Sequence, residues 1–488
     1  MIRLENVSFQ YSGAEEKALR NVSLCVKAGE FVVLLGRSGC GKTTLTRLMN
    51  RLVPGFYEGK LEGKVFIDGK DSDSLEIREL AGIVGSVFQD PRSQFFATDT
   101  TEEIAFSCEN IGLPREVISS RIEDAVKTLQ ITNLMDRDIF GLSSGEKQSI
   151  AIASVYALHP KIFVLDEPSA NLDNQAVENL RQVLMTLKSQ GYTIVISEHR
   201  IHYLKDLADR AVIIEEGQIK EELTGDRFRC LSNAEANKMG LRSTDLSVVL
   251  PRAMHFHGTE EQICVENLSF GYGRTNVVWN HISFSARKGS IVGIIGGNGI
   301  GKTTLISVIC GLKAERTGAV ILSGEKLSPR TRINKTYLVM QDSDYQLFSE
   351  SVEKELYLGE KPGDADKEKG TAALVEMGLS NLASRHPASL SGGQKQRLCI
   401  AVARMKDADI ICFDEPTSGL DYQNMIAVSN LLLKLSQRGK TLFVVTHDYE
   451  FLMSTCTHVM NLEKGSIRDY YAVTKDSAHK VYETMFLG

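Results

Sequence analysis

A chain of 488 residues with 42% hydrophobic and 24% charged side chains is long enough for two or three domains with real cores. A net charge of −6 argues against a basic nucleic-acid-binding surface. Nine cysteines without a CxxC pair suit a reducing compartment rather than a disulfide scaffold, and no apolar run reaches the ~18–20 residues of a membrane span. Met1-Ile2-Arg3-Leu4-Glu5-Asn6 does not read as a signal peptide, so any membrane part must come from other chains.

In chain order, the first strong signal is an apolar run, Phe31 to Leu35, that reads as a buried strand. It leads into Gly36-Arg37-Ser38-Gly39-Cys40-Gly41-Lys42-Thr43-Thr44 and then an apolar helical pattern. A glycine loop between strand and helix points successive backbone N–H groups at phosphate and adds a helix N-terminus that favours anions. Lys42 is placed to reach the β/γ-phosphates and Thr43 to hold Mg²⁺. The same word returns as Gly296-Gly297-Asn298-Gly299-Ile300-Gly301-Lys302-Thr303-Thr304 after Ile291 to Ile295. Two occurrences in matching context predict a chain that binds nucleotide twice. Cys40, where the second loop has Ile300, is expected to be a reactive thiol, because a helix N-terminus lowers thiol pKa.

The two halves stay in register beyond these loops. Val7-Ser8-Phe9-Gln10-Tyr11 matches Leu268-Ser269-Phe270-Gly271-Tyr272, and Phe163-Val164-Leu165-Asp166-Glu167-Pro168 matches Ile411-Cys412-Phe413-Asp414-Glu415-Pro416. Ser197-Glu198-His199 matches Val445-Thr446-His447. The aspartates are separated by 414 − 166 = 248 residues and the histidines by 447 − 199 = 248, but the lysines by 302 − 42 = 260. The first half therefore carries 12 extra residues before its acidic strand, an insertion suited to a surface loop. Strands alternating with helices predict an α/β fold with a parallel sheet in each half. The expected boundaries are 1–225 and 262–488 for the domains, with 226–261 as an appended helix near Asn233–Met239 followed by a linker. His255 and His257 in that linker are read as solvated rather than metal-binding. The tail from Ala472 to Gly488 is expected to form one amphipathic helix on its own domain.

Each half also carries a second glycine signature, Leu142-Ser143-Ser144-Gly145-Glu146-Lys147-Gln148 and Leu390-Ser391-Gly392-Gly393-Gln394-Lys395-Gln396-Arg397. These resemble the LSGGQ signature of ABC-type ATPases, and six motifs recur in that family's order in both halves. The resemblance implies two tandem P-loop NTPase domains, each a parallel-sheet core with an antiparallel β edge and a helical subdomain. It also implies an intramolecular ATPase pair that sandwiches two ATPs, each P-loop facing the other domain's signature through Ser143 and Gly145 or Ser391, Gly392 and Gly393. Asp166 and Asp414 resemble the Mg²⁺-side aspartates, and Glu167 and Glu415 the carboxylates that polarise attacking water. His199 and His447 resemble the switch histidines that contact the γ-phosphate. Gln89 and Gln341 resemble Q-loop residues that touch Mg²⁺ or water. Tyr11 and Tyr272 match an aromatic that stacks on adenine, a plain core tyrosine being the alternative. Ser169-Ala170-Asn171-Leu172-Asp173 and Thr417-Ser418-Gly419-Leu420-Asp421 match the D-loop.

The Q-loop surroundings, Gln89-Asp90-Pro91-Arg92-Ser93-Gln94-Phe95-Phe96 and Gln341-Asp342-Ser343-Asp344-Tyr345-Gln346-Leu347-Phe348, resemble the QxPxxQxF pattern of energy-coupling-factor importers, with Ser343 departing from the usual proline. By that resemblance Phe95, Phe96, Leu347 and Phe348 line a groove for a transmembrane coupling subunit. A small substrate-binding membrane subunit completes the assembly at the cytoplasmic face of the membrane, with vitamins or metal ions as cargo. The alternative is a soluble ABC-F-like twin ATPase acting on the ribosome. The low charge of the linker and the acidic chain speak against that and against nucleic-acid binding. Unequal sites are expected as well. Ser144 puts a Cβ where glycine would let the backbone approach phosphate, Glu146 adds a negative charge near the nucleotide, and Ser149 stands where the second half has Arg397. These should weaken the site that uses Lys302, so that Glu167→Gln harms turnover more than Glu415→Gln.

Overall fold

Strands of two compositions build the first half: β1 (Ile2–Tyr11), β2 (Leu19–Val26), β3 (Phe31–Gly36), β4 (Gly59–Ile67), β5 (Lys70–Asp71), β6 (Val84–Val87), β7 (Ile162–Asp166), β8 (Thr193–Ser197), β9 (Arg210–Glu215) and β10 (Gln218–Thr224). β2 alternates buried with exposed residues, as a half-solvated strand does. β3 and β8 are buried throughout, as strands covered on both faces must be. The half-solvated kind forms an antiparallel sheet in the order β2-β1-β4-β5. The buried kind forms a second sheet with the mostly exposed β10 at its edge, in the order β10-β9-β3-β8-β7-β6 and parallel except for β10.

The computed structural model describes residues 1–252, 258–273, 276–359 and 361–487, so His255 and His257 lie outside the described residues. It divides into two units: Met1–Asp245 with the short segment Asp421–Gln423, and Leu246–Leu420 with Asn424–Gly488. In the first unit, the two faces of β3 serve different layers. Phe31, Val33 and Leu35 join a core shared with the helices Thr100–Asn110, Ser144–Tyr156 and Asn174–Ser189. Val32 and Leu34 point the other way and join the core under the antiparallel sheet. This three-layer arrangement leaves the C-terminal ends of β3, β7 and β8 side by side, where open parallel sheets bind ligands. The helix Asn233–Lys238 and the buried stretch from Leu241 to Thr244 belong to this unit.

The second half repeats the plan with β11 (Glu261–Tyr272), β12 (Asn276–Arg287), β13 (Ile291–Ile295), β14 (Thr317–Leu322), β15 (Glu325–Lys326), β16 (Thr336–Val339), β17 (Ile410–Asp414), β18 (Thr441–Val445), β19 (His458–Glu463) and β20 (Ser466–Ala472). Its sheets run β12-β11-β14-β15 and β16-β17-β18-β13-β19-β20. Of the tail, Ala472 ends β20 and Ala478–Phe486 forms the helix. That helix packs on its own unit, where Tyr449 donates to Ala478 O at 3.2 Å and meets the rings of Tyr482 and Phe486.

Arg332 is fully buried and ties this unit's loops to its glycine-loop helix. It donates to Val308 O at 3.1 Å, to Leu327 O at 3.0 Å and to the Glu315 carboxylate at 2.5 Å and 3.1 Å. Removing one partner of a buried ion pair leaves the other uncompensated, typically at about 3–5 kcal/mol. Arg332→Ala is therefore expected to lower the unfolding free energy of the second unit by an amount in that range, read from urea melts by circular dichroism, while Arg330→Ala on the exposed face leaves it unchanged.

Candidate nucleotide site in each half

Gly36 ends β3 with φ +148°, and a Cβ there would lie 2.3 Å from Ile214 O. Gly296 repeats the constraint, with φ +141° and 2.4 Å to Leu462 O. Only glycine lets the chain turn off the strand this close to its neighbour. The turn leads into the helix Lys42–Met49. Within the first unit one loop N–H already meets an anion: Ser38 N donates to Asp421 Oδ2 at 2.7 Å. The loop thus has the donor chemistry that a phosphate requires.

Lys42 is only 3% exposed. Its Nζ donates to Gly36 O at 3.0 Å and Arg37 O at 3.2 Å, and it lies 3.4 Å from His199 Nε2 and 3.8 Å from Glu167 Oε1. Lys302 is held likewise by Gly296 O at 2.8 Å and Gly297 O at 2.9 Å. Loop carbonyls hold each ammonium in place, where it can reach phosphate oxygens.

Asp166, at the end of β7, accepts from Thr43 Oγ1 at 3.2 Å and from Ser197 Oγ at 2.5 Å. Asp414 accepts from Thr303 Oγ1 at 3.1 Å. Burial pushes both carboxyls above their ordinary pKa, the hydroxyls offsetting only part of it. An all-oxygen donor set of carboxylate, threonine hydroxyl and the Gln89 amide is what a hard cation such as Mg²⁺ takes, and a buried carboxylate short of countercharge is where it is favoured. The residues present therefore fit Mg²⁺.

Glu167 and Glu415 have left-handed backbones, with φ +44° and φ +47°. Such conformations are costly for a residue with a side chain and gather at functional sites. Glu167 Oε2 accepts from Gln89 Nε2 at 3.0 Å, and Oε1 lies 3.1 Å from His199 Nε2. Burial pushes its carboxyl up, but His199 and Lys42 together outweigh that and hold it below the usual range. In the second half His447 Nε2 lies 3.1 Å from Asn298 Oδ1 and 3.5 Å from Glu415 Oε1. Gln341 follows β16 as Gln89 follows β6.

Tyr11 and Tyr272 each place a hydroxyl 3.1 Å from Thr44 Oγ1 or Thr304 Oγ1, with the ring beside the loop. The Lys313 ammonium lies 4.4 Å over the Tyr272 ring. In the signatures, Ser143 and Ser391 cap the helices Ser144–Tyr156 and Gly392–Met405, and the bonds of both serines stay at those helix ends. Gly145 sits where a Cβ would meet Ala176 Cβ at 2.7 Å, whereas Gly393 has nothing nearer than 3.5 Å.

Two expectations are corrected here. Cys40 is 7% exposed, and burial pushes its thiol up despite the nearby Lys42, so it is a core group rather than a reactive one. Glu146 does not aim a bare charge at a neighbouring phosphate: it accepts from Ser143 N at 2.8 Å and from Arg137 at 2.9 Å. Gln394 makes the same backbone bond to Ser391 N at 2.9 Å without a charge.

Four anchoring residues were not among the expected sites. Gln94 bridges Phe88 N at 3.3 Å and Ser86 O at 3.2 Å, and Gln346 bridges Met340 N and Leu338 O, both at 2.7 Å. Buried Glu103 accepts from Phe96 N and Ala97 N, both at 2.8 Å, and buried Glu355 from Phe348 N at 3.0 Å and Ser349 N at 2.7 Å. The equal spacing in the two halves, 103 − 96 = 355 − 348 = 7, was the available signal. These loops present Phe96 and Phe348 at 73% and 70% exposure, while Phe95 packs partly against the core and Leu347 is half-buried. A cavity of about 510 Å³ runs from Thr43 and Asp166 to Phe56, Tyr57 and Phe96.

Two measurements follow from this geometry. Cys40 in the native protein should react with a maleimide more slowly than exposed Cys25 and Cys230, as read by peptide mass mapping. The single tryptophan, Trp279, is buried against the second loop, 3.0 Å from where a Gly301 Cβ would lie. Mg-ATP should therefore change its fluorescence, Lys302→Ala should abolish the change, and Lys42→Ala should leave it.

Both halves match known proteins. Residues 19–170 and 279–418 each match the ABC transporter family. A Treponema denticola protein with the provisional name ABC transporter ATP-binding protein is 45% identical over 96% of both chains. A Bacillus subtilis protein provisionally named HMP/thiamine import ATP-binding protein YkoD is 30% identical, covering 95% of this chain and 90% of its own. The archaeal ribosome-bound Pelota and ABCE1 structure includes a chain similar over 96% of this one and 78% of its own, with a TM-score of 0.67 and 22% identity, a likeness of fold alone. The chain belongs to the ABC transporter family, as an ATP-binding protein with two tandem ABC ATPase domains.

Proposed function

We propose that this protein is the fused ATPase pair of an energy-coupling-factor type importer. In this reading its two halves work together at the cytoplasmic face of the membrane, driving uptake of a micronutrient through a transmembrane coupling subunit and a small substrate-binding membrane subunit. The observation that carries the reading is the pair of pinned loops. A segment tied down at both ends by Gln94 and Glu103, or by Gln346 and Glu355, yet presenting an exposed phenylalanine, is built to grip something else. Phe96 also stacks on Phe106 with ring centroids 4.7 Å apart, giving a broad apolar face suited to a helix of a membrane partner. The import role in the name of the Bacillus subtilis relative supports the same reading.

ATP binding to the two glycine loops supplies the work. Lys42 and Lys302 take phosphate charge, Asp166 and Asp414 with Thr43 and Thr303 hold the metal, and Glu167 and Glu415 orient the attacking water. Gln89 bridges this chemistry to the partner loop, because it follows β6 directly and bonds Glu167. Bound Mg²⁺ screens phosphate charge and polarises the transferring group. The partner senses nucleotide because closed and open states differ in ATP affinity.

Phe96→Glu and Phe348→Glu place a charge on each gripping face. Each is expected to release the protein from membranes that contain its partners and to lower uptake about tenfold or more, while ATP affinity stays within about twofold. Membrane flotation, uptake and nucleotide binding read these separately. Sedimentation of the wild type with ribosomes and not with membranes would overturn the importer reading.

A further inference from the structure

The halves differ beside the switch histidine, where a buried carboxylate has changed places. Glu198 precedes His199 and is 2% exposed, while Thr446 holds the matching position before His447. Glu198 accepts four hydrogen bonds. Oε2 takes His199 N at 2.8 Å and Arg200 N at 3.1 Å, and Oε1 takes Ser169 N at 3.0 Å and Tyr203 Oη at 2.8 Å. In the second half the carboxylate lies on the other side of the histidine. Asp448 accepts from Thr417 Oγ1 at 2.9 Å and Phe451 N at 3.0 Å, and its own N–H donates to Thr446 Oγ1 at 3.0 Å.

Both arrangements tie the switch segment to the loop after the acidic strand, through Ser169 or Thr417, so that tie does not distinguish them. The backbone N–H of the histidine does. His199 N is taken by Glu198, whereas His447 N donates to Glu415 Oε2 at 3.2 Å. A carboxylate oxygen engaged by a backbone donor is oriented by a group that cannot turn away from it. In the first half that oxygen, Glu167 Oε2, instead accepts from the Gln89 side-chain amide at 3.0 Å, a donor that can rotate aside.

We infer that Glu198 is a positioning residue that occupies the His199 amide and so leaves the Glu167 carboxylate turned toward Gln89 and the reacting phosphate. The second half, with threonine at this place, gives its histidine amide to Glu415 itself. The first site is therefore the faster one, for a reason that lies beside the histidine rather than in the signature. This rests on the proposed role of Glu167 in orienting water.

The test is Mg-ATP turnover by the purified full-length protein, read as phosphate release, with ATPγS binding and thermal midpoint measured alongside. Glu198→Thr should lower kcat about tenfold, the effect of losing a charge-assisted hydrogen bond that orients a reacting group, with ATPγS affinity within about twofold. The triple variant S169T/E198T/R200D rebuilds the second half's tie. It should recover the thermal midpoint but not kcat, because His199 N is again left to Glu167. Recovery of kcat in the triple variant would overturn the inference and make Glu198 a structural staple. Wild-type kcat in Glu198→Thr would overturn it too, and if that variant fails to fold the triple variant decides alone. Glu167→Gln separates the two levels. If it keeps full turnover, the role of Glu167 fails. If it abolishes turnover while Glu198→Thr does not change it, only the role of Glu198 fails.

Discussion

Charge buried at the C-terminal edge of a parallel sheet is the constraint on which both sites depend. Lys42 lies 3.8 Å from Glu167, and Asp166 stands beside Glu167 with its pKa pushed up by the same burial. Such a cluster is tolerable only because loop carbonyls, hydroxyls and His199 share its charge. Under the proposed roles a nucleotide phosphate would bring anions to the lysine and a metal would bring countercharge to the aspartate. Binding would then relieve the unbalanced charge on both sides, completing the electrostatics of the site.

The sheet explains why these groups meet at all. Parallel pairing of β3 with β8 and of β8 with β7 brings Gly36, Asp166 and Ser197 to one edge, although they come from distant parts of the chain. β6, paired beside β7, delivers Gln89 to Glu167 and carries the pinned loop outward to Phe96. A change at Glu167 and a change at Phe96 are thus linked through one short, doubly anchored segment. That is the physical path by which hydrolysis could move a partner under the importer reading, and the second half repeats its anchors at Gln346 and Glu355.

Much of this was legible in the sequence because the informative residues are contiguous. The glycine loops, the acidic strands and the histidines are short strings whose spacing carries their chemistry, and the strands around them are apolar runs. What was not legible depends on which groups the fold brings together. Glu146 read as a stray negative charge because Arg137, nine residues earlier, is joined to it only in the fold. Cys40 read as reactive because a helix N-terminus lowers thiol pKa, but packing against Gly36 and the strands behind it buries the sulfur. Glu198 drew no notice because the string around the histidine shows a glutamate without showing the four donors it collects. The left-handed backbone of Glu167 left no mark in the sequence at all.

The central claim is that each half supplies its own loop, lysine and acidic residues to a nucleotide site. Equilibrium dialysis of the purified chain with Mg²⁺ and ATPγS measures it most directly. The account predicts two nucleotides bound per chain, with one lost in Lys42→Ala and the other lost in Lys302→Ala. Binding of a single nucleotide by the wild type, or loss of both in either lysine variant without unfolding, would contradict it.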